Sequence, residues 1–107
     1  MEVIVYFNEH PDHFLGYEHG QPLRRVFSYE PPTKSALFRL ADEAFQAFNA
    51  PLGFVMPAYR NVAKAYRAAG LRSLSVGDVL RVGDSWLACA GTSWIALVDE
   101  PSEVSDA

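Results

Sequence analysis

Arg72-Ser73-Leu74-Ser75-Val76-Gly77-Asp78-Val79-Leu80 is a short polar turn that launches a strand, and the chain then runs hairpin-like to Val98. Val79 to Val82 reads as the strand, Gly83-Asp84 as a turn dipeptide, and Ser85 to Ala90 as the returning partner. Gly91-Thr92-Ser93 breaks that partner, and Trp94 to Val98 is a last short strand. Ser73 or Ser75 can bond neighbouring backbone amides, Gly77 supplies an unusual dihedral, and Asp78 closes the turn. These four residues form a structural turn motif whose chemistry needs no ligand.

Upstream, Val3, Val5 and Phe7 alternate with Ile4 and Tyr6, so both faces of the first strand are apolar and it reads as central. Asn8 to Pro22 is a loop of about fifteen residues, rich in His, Pro, Gly and acids, and loops of that length commonly carry function. Leu23 to Glu30 is a second strand, stopped by Pro31-Pro32. Thr33 to Asn49 places Leu37, Leu40, Ala41, Ala44, Phe45 and Phe48 on one helical face. Thr33 or Ser35 is expected to cap it, with Asp42 and Glu43 facing water. A second helix spans Pro57 to Ala69, with Tyr59, Val62, Ala63 and Tyr66 as its buried stripe and Gly70 as its left-handed stop. The order ββααβββ predicts an α+β fold: a mostly antiparallel sheet with two helices packed on one face.

The chain has 107 residues, half of them hydrophobic and 13% aromatic, which suits one globular domain over 1–100. Residues 101–107 are short, polar and acidic and are expected to form a flexible tail. The start of the chain has no basic, apolar leader pattern, and no apolar run approaches bilayer length. A lone cysteine, Cys89, cannot form an internal disulfide, which fits the cytoplasm.

Net charge is −4 and the isoelectric point is near 5.2, the opposite of a bulk nucleic-acid binder's basic balance. The charge is nevertheless uneven. Arg60, Lys64 and Arg67 are spaced to share one helix face, and Arg72 follows. Such a face could grip phosphates or an acidic partner, and it could equally be a solvated surface. His10, His13 and His19, with Asp12, carry the residue types of a zinc site or general base. Pro11 breaks the helical face that would align them, and no nucleophile stands beside them. Cys89 sits among apolar strand residues, where a thiol is inert. Gly77, Gly83 and Gly91 are strand-end glycines rather than a phosphate loop. The reading therefore assigns no catalytic residue, no metal and no cofactor.

The 72–80 stretch, with Tyr66-Arg67-Ala68-Ala69-Gly70 before it and Trp94 after it, resembles small proteins of actinobacterial phages and plasmids that read RSLSVGDVV. It is also similar to the SLSVSDIV core of YodL-like domains in larger mobile-element proteins. The resemblance covers about the last third of the chain and implies a mobile-element setting, without catalytic residues to carry over. Together these readings lead to a small, non-enzymatic interaction or regulatory protein whose partner is a host or element-encoded protein. A nucleic-acid module using Arg60, Lys64, Arg67 and Arg72 stands second, and a histidine-loop metal enzyme third. The sequence leaves the oligomeric state open.

Overall fold

A computed structural model describes residues 1–106. Its core is a six-stranded sheet built from β1 (Val3–Asn8), β2 (Leu23–Tyr29), β3 (Val79–Val82), β4 (Ser85–Cys89), β5 (Trp94–Ala96) and β6 (Val104–Ser105). The strands lie in the order β5-β4-β3-β1-β2-β6. All neighbours are antiparallel except β2 and β6, which are parallel. Helices α1 (Leu37–Asn49) and α2 (Arg60–Ala68) connect β2 to β3. The α+β expectation holds, and β6 adds a strand to the expected order.

β1 is central and buried on both faces, as its doubly apolar pattern requires. Val3, Val5 and Phe7 join Leu80, Val82, Leu87 and Cys89 under the helices. Ile4 and Tyr6 join Val79, Trp86 and Ala88 on the opposite face. Leu40, Ala44 and Phe48 of α1 and Ala63 and Tyr66 of α2 fill the helical side, with Phe48 stacked on Tyr66 at 4.0 Å between ring centroids. Among the described residues, neither α-helix packs on the opposite face. Tyr17, from the 8–22 loop, and Leu97, after β5, cover it instead.

Several local features differ from expectation. α1 begins at Leu37, later than Thr33, and no side chain caps it. Thr33 and Ser35 turn their hydroxyls to Glu43, which is buried rather than facing water; Asp42 is exposed as expected. Within 101–107, expected as a flexible tail, Val104–Ser105 form the short strand β6, and Ala107 falls outside the described residues. Pro101 is buried, the Glu103 carbonyl accepts from the Leu23 amide at 2.8 Å, and Val104–Ser105 pairs with β2. The open edge of β2 offers backbone partners that an acidic composition does not forbid.

Candidate functional site

Two buried carboxylates organise the polar structure. The first grows out of the 72–80 turn. β1 and β3 pair from Val3↔Val82 to Tyr6↔Val79 and then part. Gly77 turns the chain there at φ +91°, and a side chain at this position would collide with the His13 carbonyl. Side chains continue the seam where the backbone leaves it. Asp78 Oδ1 accepts from the Asn8 amide at 2.9 Å, and Asn8 Nδ2 donates to the Gly77 carbonyl at 3.0 Å. Asp78 Oδ2 accepts from the Ser75 amide at 2.8 Å.

Asp78 is fully buried (0% exposed), and a buried carboxylate needs a countercharge. Arg72 supplies it as a fork: Nη1 donates to Oδ2 at 2.7 Å and Nη2 to Oδ1 at 3.0 Å. The same guanidinium lies 3.9 Å from the centre of the Phe7 ring. The Asp78 hydrogen bonds, then the salt bridge, hold the Arg72 charge more firmly than usual and raise its pKa. Asn8 Nδ2 also donates to Gln21 Oε1 at 2.8 Å, and His13 Nδ1 donates to the Val76 carbonyl at 2.9 Å. The turn motif thus fastens the 8–22 loop to the sheet. Its oxygen acceptor is the Asp78 carboxylate; the Ser75 contribution comes from its backbone amide rather than its hydroxyl.

The second carboxylate is Glu43 on α1. Thr33 Oγ1 donates to Oε1 at 2.6 Å, Ser35 Oγ to Oε2 at 2.7 Å, and Tyr59 Oη to Oε1 at 2.9 Å. Arg39 Nε stands 3.5 Å from Oε2. Burial raises the Glu43 pKa, but the three hydroxyls and Arg39 outweigh it and hold the carboxyl below its ordinary range. Burial, assisted by the Glu43 charge, pushes Tyr59 up to about 12. Both carboxylates are therefore saturated with donors and placed to hold the fold together.

The four basic residues read from sequence divide into two pairs. Arg60 and Lys64 are exposed on α2. Arg67 turns inward and donates to the carbonyls of Ala47, Ala50 and Ala63, closing the C-terminal end of α1. Arg72 is committed to Asp78. The three histidines also diverge. His10 Nδ1 accepts from the Asp12 amide, His13 binds Val76, and His19 Nε2 donates to the Glu100 carbonyl at 3.3 Å. Among the described residues, no group of three His, Cys, Asp or Glu side chains is placed to hold a metal ion. Cys89 is buried, and burial pushes its thiol pKa up.

What remains open to a partner lies at the other end of the sheet. Among the described residues, β5 is an edge strand paired only with β4. Ala88↔Ile95 lies between two ladder bonds, Leu97 N–H to the Trp86 carbonyl and Ala90 N–H to the Ser93 carbonyl. By that alternation Ile95 faces β4, and the backbone N–H and C=O groups of Trp94 and Ala96 point to the free edge. Beside them a groove of about 620 Å³ opens between α1 and the β4–β5 turn, lined by Asp42, Phe45, Thr92, Ser93 and Trp94 among others. Gln46 and Asn49 also line it, but their amides are spent on Phe54, Met56 and Leu74. Sequence reading placed the strand here but did not single out its edge, because edge position depends on strand order.

No helix is long and apolar enough to cross a membrane among the described residues. Comparison with protein families, curated proteins and solved structures finds no match to this chain.

Proposed function

We propose that the protein is a small, non-enzymatic interaction module that receives an extended segment of a partner protein along the free edge of β5. The observation that carries this reading is the unpaired edge of β5 beside the 620 Å³ groove. Strand addition joins outward-facing backbone groups, which set the register, to a neighbouring pocket that chooses side chains, and this end of the sheet offers both. Ile95, 56% exposed, adds an apolar side chain on the sheet's other face. An enzymatic reading finds less support, since Asp78 and Glu43 are both consumed by internal donors. The nucleic-acid reading keeps only Arg60 and Lys64 of its four cations. A phage or plasmid setting, a bacterial cytoplasm and a host or element-encoded partner complete the proposal; they rest on the 72–80 resemblance and the lone cysteine.

The test is capture from actinobacterial lysate, with nuclease, by wild type, Ala96→Pro and an Arg60→Ala/Lys64→Ala variant. Proline at 96 removes an N–H that faces the free edge, so the β4–β5 bonds stay intact. A nuclease-resistant protein lost with Ala96→Pro and kept by the double variant is expected. Capture that depends on Arg60 and Lys64, or is indifferent to Ala96→Pro, would refute the edge as the binding surface.

A further inference from the structure

We infer that the segment added to β5 is basic: an extended strand that places an apolar side chain in the groove and cations near its two ends. This rests on the edge-binding reading and goes beyond it by fixing the partner's chemistry. Among the described residues, cavities of about 620, 300 and 280 Å³ border β5, and these are lined by no lysine or arginine. Asp42 lines the α1 groove at the Trp94 end. Asp84 and Glu100 line a second cavity of about 300 Å³ that reaches Ala96. The third, of about 280 Å³, is apolar and meets Ile95 and Leu15 on the opposite face.

Asp84 pairs weakly with Arg81, at 3.9 Å, whereas Asp42 and Glu100 make no ion pair among the described residues. The free edge therefore lies between two carboxylates, Asp42 and Glu100, that make no ion pair among the described residues. An incoming strand alternates its side chains across the sheet. One set meets Phe45 and Trp94 in the groove and the other meets Ile95, so an apolar residue suits each face. Lysine or arginine beyond them reaches Asp42 at one end and Glu100 at the other, across the solvent-exposed rim where charge sets partner choice.

The same pattern disfavours a second copy as the occupant. Edge-to-edge pairing of two chains would bring two sets of these carboxylates together, in a molecule whose net charge is already −4.

The experiment is selection of random twelve-residue peptides, displayed on ribosomes without charge bias, against the whole protein. Enriched sequences are then synthesised and titrated into isotope-labelled protein by NMR. The expected winners carry net positive charge around an alternating apolar core. They shift the amides of Trp94 and Ala96, lose binding to Ala96→Pro, and bind Asp42→Lys/Glu100→Lys at least tenfold more weakly. Raising salt from about 0.05 M to 0.5 M should weaken them several-fold, because the paired charges are exposed.

Acidic or neutral winners that still need the β5 edge would overturn the basic-segment inference and leave edge binding standing. Winners indifferent to Ala96→Pro would overturn both. No enrichment, together with a concentration-dependent dimer abolished by Ala96→Pro, would assign the edge to a second copy; no enrichment without such a dimer would also refute the inference.

Discussion

Replacing Asp78 by alanine removes the acceptor for four hydrogen bonds: the amides of Asn8 and Ser75 and both Arg72 branches. The costs are unequal. The Asn8 amide lies where the β1–β3 ladder has ended, so no strand backbone can replace the lost oxygen. An orphaned buried N–H of this kind costs about 1–3 kcal/mol. The Ser75 amide is half-buried and can recruit water, so its loss belongs at the low end of that range. Arg72 is 43% exposed and can rehydrate its guanidinium, so its stranded charge adds little. The sum is about 3 kcal/mol, a large part of the roughly 5–15 kcal/mol that stabilises an ordinary domain.

Urea unfolding followed by Trp86 and Trp94 fluorescence should show this as a lower midpoint with little change in slope. For a domain of this size it corresponds to a fall in Tm of roughly 12–24 °C. Arg72→Ala should cost about 2 kcal/mol in the wild type, because it leaves a buried carboxylate served only by backbone amides. In the Asp78→Ala background the same change should cost almost nothing, giving a coupling of about 2 kcal/mol. A loss below about 1 kcal/mol for Asp78→Ala, or simple additivity in the double variant, would refute the claim that this pair seals the sheet end.

Gly77→Ala should cost about 3 kcal/mol or more, because it combines positive φ with a collision at His13; Gly70→Ala, at φ +73° with open space around it, should cost only about 1 kcal/mol. Comparable losses in thermal melts would show that the His13 approach does not matter. Glu43→Gln should lower stability by about 1–2 kcal/mol at neutral pH, since three hydroxyls lose a charged acceptor. The Glu43 pKa is depressed in the folded state, so its contribution is present above the unfolded value of about 4.3 and fades as pH falls through the folded value. Urea midpoints of the two proteins should therefore converge in acid; a constant gap down to about pH 2 would contradict the assignment. Cys89 should resist a thiol reagent such as Ellman's in the native protein and react once urea unfolds it, because it is buried with a raised pKa. Rapid native labelling would mean that the strand opens far more often than its packing implies.

The parts of the fold visible in the sequence were those written in local periodicity. Val3 to Phe7 announced a doubly buried strand, and Tyr59, Ala63 and Tyr66 announced the inner face of α2. The Val79–Val82 and Ser85–Cys89 hairpin followed from its turn residues. What local pattern could not carry was the destination of polar groups. Thr33 and Ser35 stand where helix caps stand, yet they serve Glu43, which α1 points inward. Arg67 stands at helical spacing from exposed cations and Arg72 follows, yet Arg67 turns to the distant carbonyls of Ala47 and Ala50, and Arg72 to Asp78. A clue to the Arg72–Asp78 pair did lie in the sequence: an arginine six residues before an aspartate, across a glycine turn. The β2–β6 pairing had none, because two exposed residues carry too short an alternation to read.

The arrangement of these polar groups bears on where a partner can bind. A buried carboxylate that already accepts from several donors would lose them on accepting a ligand, and that cost would oppose binding. Asp78 and Glu43 are in this position, and so is Arg67 with its three carbonyls. The free edge of β5 is different. Its outward N–H and C=O groups are spent on no β4–β5 ladder bond, so a strand that pairs with them breaks no bond of that ladder. The net gain then has to come from the side chains, through burial against Phe45, Trp94 and Ile95 and charge pairing with Asp42 and Glu100. With only a three-residue strand to build on, backbone pairing alone would be too weak to select a partner, and recognition must rest on the groove and its acidic rim.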